Sequence, residues 1–502
     1  MWTFVLLRSQ KGIFTHKNQA FNTIGMNRKV LLLLIVSFTS IYSTRAQGVL
    51  HENDPGGETT IGNPHDKRHS PINAFLKQGH VSGHVRNFTM ATINQGELTD
   101  YFANATGGAI HYETDRFLGH FSIGVKGIFT FNTYSSDLLA PDPLTGKGAK
   151  WELELFDINH PDKKHDLDRL EELYIKFHYG EKSFLEVGKF DLDETPLLNR
   201  RDGRMKAFVF EGIWNKWVAS PSSTLQSGLI TKVSPRSTTE FFTIREALGS
   251  QNMGYQPDGT RADYHEAAHA RSIGMLGYEF RTESGLKLQA WDMYLDRVTN
   301  IAWLQADYNG GLGFAGIQAV AQRPLAHQAD LDYSARYMQP DERGRVVATR
   351  VGLHSQNWEI SANYLRSFSQ GRFLFPREFG RERLYTSMPR SWMEGLGDTH
   401  VVTLVGLFQK PIFQEDRVSI DLRWSHIQTP APTDYRLNKY GVQPYHQTNA
   451  AIKYACNGRL EGLEFQVLYL YRGDYPAGDH SPSMIFNKYN MHQINVITNL
   501  IF

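Results

Sequence analysis

The feature that most constrains the fold of this chain is a series of strand-like segments in which apolar and polar residues alternate. Eighteen such segments follow one another from His80 onward, and each has about the 8 to 13 residues that a tilted transmembrane strand needs. They begin at or near His80, Thr106, Gly119, Arg169, Lys182, Lys206, Thr224, Ala270, Gly285, Thr299, Leu312, Val346, Asn357, His400, Asp416, Gln447, Glu461 and Met491. A soluble chain of 502 residues would normally divide into two to four domains, but a barrel is an exception to that rule.

The connections between these segments differ in length in a regular way. Short turns of the hairpin type occupy residues 115–118, 180–181, 282–284 and 309–311. Far longer connections occupy residues 132–168, 234–269, 322–345, 367–399 and 428–446. Long and short connections alternate, with one exception after Leu295. This parity predicts an all-β fold, an up-and-down antiparallel transmembrane barrel of eighteen strands with short periplasmic turns and long external loops.

Alternation within each segment assigns one face to lipid and the other to water. In the last segment Val496 lies on one face and Asn495 on the other. Eight basic residues fall on the polar faces: Arg86, Lys126, Lys176, Lys232, Arg350, Arg423, Lys453 and Arg472. A Lys or Arg on the lipid face costs roughly 2 to 4 kcal/mol, so eight of them would exceed the roughly 5 to 15 kcal/mol that stabilises a fold. We predict that they line a water-filled lumen, or that several pair with wall acids such as Glu211, Asp421 and Glu464.

A loop with charges of both signs separates the segments that begin at Lys182 and Lys206. It contains Asp191, Asp193, Glu194, Arg200, Arg201, Asp202 and Arg204 beside a stiff Thr195-Pro196 corner. On a soluble protein such a loop would be an ordinary surface feature. Inside a barrel it can narrow the lumen, and we predict such a constriction loop here.

The amino-terminal residues carry export features. Arg28 and Lys29 precede an apolar run from Val30 to Ile41, and Thr44-Arg45-Ala46 provides a small-residue cleavage site. Residues 26–46 are therefore predicted to be a signal peptide, and residues 1–25 an over-extended start. Residues 47–78 are predicted to be a flexible periplasmic tail, and residues 79–502 the barrel.

One motif favours a different class of protein. His265-Glu266-Ala267-Ala268-His269 matches the pattern of zinc proteases, in which two histidines one helical turn apart bind the metal and the glutamate activates water. However, the glycine of the longer signature is absent after His269, and a strand follows directly. We therefore predict no metal site and no cofactor at this motif.

A second group of possible metal ligands lies in the long connection before the fourth segment. It consists of Asp157, His160, Asp162, His165, Asp166 and Asp168. Oxygen ligands of this kind can hold a divalent ion, but a solvated external loop is the commoner explanation. The net charge of +1 gives no sign of a nucleic-acid partner.

Four short runs near the middle of the chain resemble a known family. They are Leu185-Glu186-Val187-Gly188-Lys189, Thr195-Pro196-Leu197-Leu198, Asp202-Gly203-Arg204-Met205 and Phe210-Glu211-Gly212. These runs resemble the central signature of the OprD family of substrate-specific outer-membrane porins. In one departure, Lys206-Ala207 follows where the family usually has a proline. The resemblance implies an eighteen-stranded monomer in which a basic ladder faces an acidic loop and guides carboxylate-bearing molecules such as amino acids.

The pattern and the resemblance together predict a porin in the outer membrane of a Gram-negative bacterium. It would allow passive, substrate-selective diffusion of small water-soluble solutes that carry carboxylates, with no catalytic step. Its partners would be outer-membrane lipid, small solutes and the barrel assembly machinery, and the protein would be a monomer. Two alternatives remain open: an outer-membrane or secreted zinc metalloprotease, and a surface adhesin or receptor barrel with a plugged lumen.

Overall fold

A computed structural model describes residues 79–162, 165–200, 203–413, 416–476, 478 and 480–502, and only the backbone of 165–168. One antiparallel sheet of nineteen strands contains β1 (His80–Ile93), β2 (Tyr101–Glu113), β3 (Phe121–Ser135), β4 (His165–His178), β5 (Phe184–Phe190), β6 (Val209–Ser220), β7 (Ser223–Ser234), β8 (Phe242–Thr243), β9 (Ile273–Arg281), β10 (Leu286–Leu295), β11 (Thr299–Asn309), β12 (Gly313–Pro324), β13 (Gly344–His354), β14 (Trp358–Ser367), β15 (Thr399–Pro411), β16 (Arg417–Gln428), β17 (Tyr445–Ala455), β18 (Leu463–Asp474) and β19 (Met491–Ile501). The predicted start, signal peptide and tail over residues 1–78 lie outside the described residues.

The sheet closes on itself. Every long strand pairs with the next long strand along the chain, and β1 pairs with both β2 and β19. Gly83 and Phe502 exchange two backbone hydrogen bonds of 2.8 and 2.9 Å at this junction. The two-residue β8 only pairs with the last residues of β7, beyond the pairing of β7 with β9. The wall therefore has the eighteen long strands that the sequence predicts, and the predicted barrel is confirmed.

The connections also follow the predicted parity. The long loops 136–164, 235–272, 325–343 and 368–398 leave one end of the barrel, and short turns such as 221–222, 282–285 and 355–357 leave the other. The exception after Leu295 is the short turn 296–298 at the long-loop end. In the turn before β10, Gly285 has a φ of +91°, and a Cβ there would collide with the Asn309 carbonyl oxygen, so this turn requires glycine.

The two faces of the wall differ in polarity. Outward side chains are apolar and exposed, for example Leu173, Leu304, Val351 and Leu422. Inward neighbours include polar groups, because side chains alternate between the faces of a strand. An apolar exterior around a polar interior is the arrangement of a transmembrane barrel.

A packed core lies inside the barrel, at the end that carries the long loops. Leu197 and Leu198 of one loop pack in the same cluster as Phe373 and Phe375 of another, against wall residues such as Trp303. Inward side chains near this end, Thr92, Met293, Ser367, Thr399 and Gln493, are fully buried. The loops therefore fold into the barrel and narrow its interior. No helix in the described part of the chain has the length and hydropathy of a membrane-spanning helix.

Candidate lumen constriction

Seven of the eight basic residues predicted to face the lumen lie on the inner face of the wall. They are Arg86, Lys126, Lys176, Arg350, Arg423, Lys453 and Arg472. Several have a carboxylate on the same or a nearby strand: Lys176 lies 3.2 Å from Glu186, Arg423 lies 2.8 Å from Asp421, and Lys453 lies 2.8 Å from Glu464. Much of the basic ladder is therefore compensated by acids of the wall.

Three wall residues in one row and one loop tyrosine form a polar cluster. Asp307 on β11, Gly316 on β12 and Arg350 on β13 are successive register partners. Arg350 Nη2 donates to Asp307 Oδ1 at 2.7 Å, and its guanidinium lies 4.6 Å from the centre of the Tyr385 ring. The Tyr385 hydroxyl donates to the same oxygen at 2.6 Å. A Cβ at Gly316 would lie 2.6 Å from that oxygen, so the glycine leaves the space that the cluster occupies.

Arg86 and Arg472 bind loop backbone from the wall. Arg86 Nη1 donates to the Arg204 carbonyl oxygen at 2.7 Å, and its Nε donates to Asn499 Oδ1 at 2.8 Å. Arg472 donates to the Arg390 carbonyl oxygen and lies 4.7 Å from the Tyr445 ring centre. These two arginines therefore fasten inward loops to the barrel.

The prediction for Lys232 is wrong, because a β-bulge reverses the alternation. The register pairs Gly212 with Ile230 but Glu211 with Lys232, which leaves Thr231 as an extra residue. Ile230 is buried on the inner side, whereas Glu211 shares the outward face. Lys232 therefore lies outside, 3.1 Å from the Glu211 carboxylate.

A second bulge brings two adjacent acids to the inner face. The register of β3 and β4 shifts after Lys126, between its partner Glu172 and the next paired residue, Leu170. Lys126 Nζ lies 3.1 Å from Glu171 and 3.2 Å from Glu172. Arg200 of the constriction loop lies 3.9 Å from both carboxylates. Strict alternation would have placed only one of these acids inside.

The charged loop lies inside the barrel as predicted, and its charges are paired. Asp191 binds Arg200 of the same loop. Asp193 lies 2.5 Å from Arg383, and Glu194 lies 2.6 Å from Lys216. The carboxylates of Asp193 and Glu194 remain more than half exposed. Two predicted members of this loop, Arg201 and Asp202, lie outside the described residues.

Arg204 is buried and connects the constriction loop to the 136–164 loop. Its buried guanidinium is 2.6 Å from Glu154, which is also 2.9 Å from Arg236. Burial alone would raise the pKa of Glu154, but Arg204 and Arg236 outweigh it and hold the pKa at about 2. The Glu154 carboxylate thus connects three loops.

The sequence reasoning missed a second inward loop, residues 368–398. Asn199 Nδ2 donates to the Arg381 carbonyl oxygen at 2.6 Å, and the Arg383 amide donates to the Pro196 carbonyl oxygen at 2.9 Å. From this second loop Arg383, Tyr385 and Ser387 are partly exposed, whereas the residues between them are buried. The available signal was its composition, because arginines and aromatic residues are dense between Arg372 and Trp392.

The zinc-protease motif does not have the geometry of a metal site. His265 to Ala268 form turns, and Glu266 and His269 have positive φ values of 57° and 50°, so the histidines are not one helical turn apart. Glu266 lies 3.3 Å from Arg245. In the loop before β4, Asp157 bonds to His160 and Thr239. The described residues contain no group of three His, Cys, Asp or Glu that could hold a metal ion.

Solved structures of several bacterial proteins are similar to this chain. Acinetobacter baumannii OccAB3 is 14% identical with a TM-score of 0.62, covering 84% of this chain and 99% of its own. Pseudomonas aeruginosa OccK9 (OpdG) is 14% identical with a TM-score of 0.61, covering 85% and 100%. P. aeruginosa OpdK, solved with vanillate, is 15% identical with a TM-score of 0.58, covering 85% and 99%.

Sequence comparison adds nothing to this likeness, since no family model and no curated protein matches the chain. At these identities the likeness concerns the fold, and it extends over nearly the whole of each similar structure. The chain therefore has the fold of the OprD/Occ outer-membrane porins, as the resemblance of its central residues to the OprD family predicts.

Proposed function

We propose that this barrel is an outer-membrane porin for the passive, selective diffusion of small water-soluble solutes. The observation that carries the proposal is the Arg350 cluster at the constriction. One third of the Arg350 side chain is exposed although it binds Asp307 and stacks on Tyr385. Its position is fixed by both contacts, and its remaining donors can bind a passing solute.

We further propose that the solutes carry carboxylates. A guanidinium presents paired N–H donors that match the two oxygens of a carboxylate, and Tyr385 adds an aromatic surface beside Arg350. OpdK, which has the same fold, was solved with vanillate, a compound that has both a carboxylate and an aromatic ring. The constriction-loop acids Asp193 and Glu194, whose carboxylates are more than half exposed, can hold a cationic end, as in an amino acid.

Single-channel conductance of the refolded chain from Gln47 to Phe502 in a planar bilayer tests both proposals. We expect steady currents that vanillate or an amino acid blocks, and the Arg350→Ala variant should weaken the block about tenfold, the loss of one charge-assisted hydrogen bond. Arg436→Ala, at an exposed position of the 429–444 loop, is the control and should leave the block unchanged. Currents with no block by any carboxylate would refute the solute class but not the porin.

One observation favours a second function, a surface receptor with a closed lumen. Loops interlock inside the long-loop end, where Arg372 lies 2.8 Å from Glu342 of a neighbouring loop and Lys439 lies 3.3 Å from Glu394. A correctly folded barrel that passes no current would support this function and refute the porin. Heat-modifiable migration in gels would show that the barrel had folded.

A further inference from the structure

Two arginines on the outer face of the barrel form no ion pair within the described residues. The outward acid Asp292 lies two strands from Arg323 and bonds Asn300 instead. Arg323 is next to last in β12, and Arg345 is second in β13. On β12 Val320 and Gln322 are buried towards the interior, so Arg323 points outward. Both arginines are exposed, and within the described residues neither guanidinium has an ion pair or a side-chain hydrogen bond.

The register places these arginines next to each other. Ala321 is the partner of Arg345, and Arg323 lies two residues further along β12, so the two arginines are diagonal neighbours on one face. Diagonal neighbours are roughly 7 to 8 Å apart, so two long arginine side chains at these positions can contact the same phosphate. Paired guanidinium N–H groups suit phosphate oxygens especially well.

The pair lies at the edge of the apolar band. Tyr294, Asn300 and Arg323 are register partners in one row across β10, β11 and β12, and outward tyrosines mark the membrane interface of such barrels. Between Arg323 and Gly313 the outward side chains of β12 are uncharged. Ten residues span about 33 Å along a strand and about 25 Å across a bilayer when tilted. The arginines therefore lie where lipid headgroups begin.

An apolar groove lies below the arginines on the same outer face. It has a volume of about 450 Å³ and extends over β9 to β12 between Tyr278, Leu288, Leu304 and Ile317, with Ala319 at its edge. Ala319 is four residues from Arg323 on the same face, about 13 Å along the strand. The small side chains of Ala319 and Ala321 project little from the wall, so an acyl chain can lie against it.

We propose that Arg323, Arg345 and this groove form a binding site for one phosphate-bearing lipid of the outer leaflet. The two guanidinium groups bind the phosphate, and one acyl chain lies along the alanines of β12 into the groove. The site is outside the lumen and does not depend on the proposed transport function. An anionic headgroup supplies the missing counter-charge, and the chain fills the groove.

Native mass spectrometry of the protein extracted from membranes in mild detergent tests this site. The probes are phosphatidic acid, diacylglycerol with the same chains, and inorganic phosphate. The Arg323→Gln/Arg345→Gln variant removes the phosphate contacts, and Ala319→Phe fills the edge of the groove. Lys232→Gln is the control, because Lys232 is also outward near the long-loop end but pairs with Glu211. Heat-modifiable migration verifies that each variant has folded.

We expect one phosphatidic acid bound to the wild type, at least about tenfold more tightly than diacylglycerol. The double variant and Ala319→Phe should each lose at least tenfold in that affinity, and Lys232→Gln should lose nothing. Retention of phosphatidic acid by the double variant, or an equal loss in Lys232→Gln, would overturn the proposal. Displacement by inorganic phosphate would show a free-anion site instead, and a dimer that Ala319→Phe dissociates would show that a second copy covers the groove.

Discussion

At the scale of single residues, the inner wall is a set of opposite charges held in pairs. Asp307 accepts hydrogen bonds from both Arg350 and Tyr385, so its negative charge offsets the one guanidinium that we propose binds solute. An interaction between close charges is strong where water is partly excluded. In the proposed porin, the selectivity of the lumen therefore depends on each acid as much as on each base.

Replacing Asp307 by Asn should shift the ion selectivity of the proposed channel towards anions. The change leaves Arg350 and its ring contact in place but removes the offsetting charge, so the local potential becomes more positive. We expect the reversal potential in a salt gradient to move towards that of chloride, and Arg350→Gln to move it the opposite way. The double variant should return close to the wild type, and a shift of the same sign for both single variants would contradict this account.

Glu152 should make the attachment of the 136–164 loop depend on pH. Burial raises the pKa of Glu152 to about 7, above the ordinary value for glutamate. Protonation therefore favours the folded loop, and this contribution is complete below about pH 4.5 and disappears as the pH rises through 7. At pH 8 Glu152→Gln should stabilise the loop by roughly 1 to 3 kcal/mol, because the amide stays neutral.

Limited proteolysis of the 136–164 loop at pH 5 and pH 8 measures this effect. The variant should be cleaved more slowly than the wild type at pH 8 and at the same rate at pH 5. Glu154→Gln serves as the contrast, because Arg204 and Arg236 hold the pKa of Glu154 at about 2. That variant should be cleaved faster at both pH values.

At the scale of strands and loops, the sequence predicted regular features better than irregular ones. All eighteen wall strands were visible, because their period, length and turns repeat along the chain. The bulges at Thr231 and Glu171 were not visible, since an extra residue changes the register without disturbing the local alternation of residue types. The alternation therefore predicts the wrong face for Lys232 and does not identify Glu171.

The alternation of apolar and polar residues does not predict the contacts between loops either. The charged loop 191–208 was recognised from its composition, but nothing periodic indicated that residues 368–398 would reach it through Arg381 and Arg383. Such contacts arise from closure of the wall, which brings loops that are distant in sequence into one interior. Composition identifies such loops as candidates, but only the closed barrel decides which of them meet.

Separating the two inward loops should widen the constriction. Arg383→Gln removes the ion pair with Asp193 but leaves the backbone bond to Pro196, so the loops should remain folded and move more. We expect larger and noisier single-channel currents. Asp193→Asn should reproduce the effect because it breaks the same pair, and a decrease in current for either variant would contradict the role of the pair.

At the scale of the whole molecule, the loops of the long-loop end form one assembly. Lys439 Nζ lies 3.3 Å from Glu394 and donates to the Tyr264 hydroxyl at 3.1 Å, within 5.1 Å of the Tyr337 ring centre. These four residues belong to four different loops. A buried ammonium beside two tyrosine rings and a carboxylate thus connects loops that leave the wall far apart in sequence.

Lys439→Met should loosen all four loops together. In this variant Glu394 keeps Arg377 as its counter-charge at 2.6 Å. We therefore expect the free energy of unfolding to fall by about 2 to 4 kcal/mol, at or just below the range for breaking a buried pair. Protease cleavage in the loops containing Tyr264, Tyr337, Glu394 and Lys439 should accelerate in parallel, with the wall intact. Lys410→Met, at an exposed position near the other end of β15, is the control.

The junction between the first and last strands has a consequence for how the protein is made. Gly83 and Phe502 are hydrogen-bonded partners, so the contact that completes the wall joins the two ends of the barrel sequence. Contacts of such long separation form slowly, and until this one forms β1 and β19 have open edges that can pair with other chains. No partial product of synthesis can close the wall, so the whole barrel sequence must be present, with its strand edges kept from pairing with other chains, before the fold is complete.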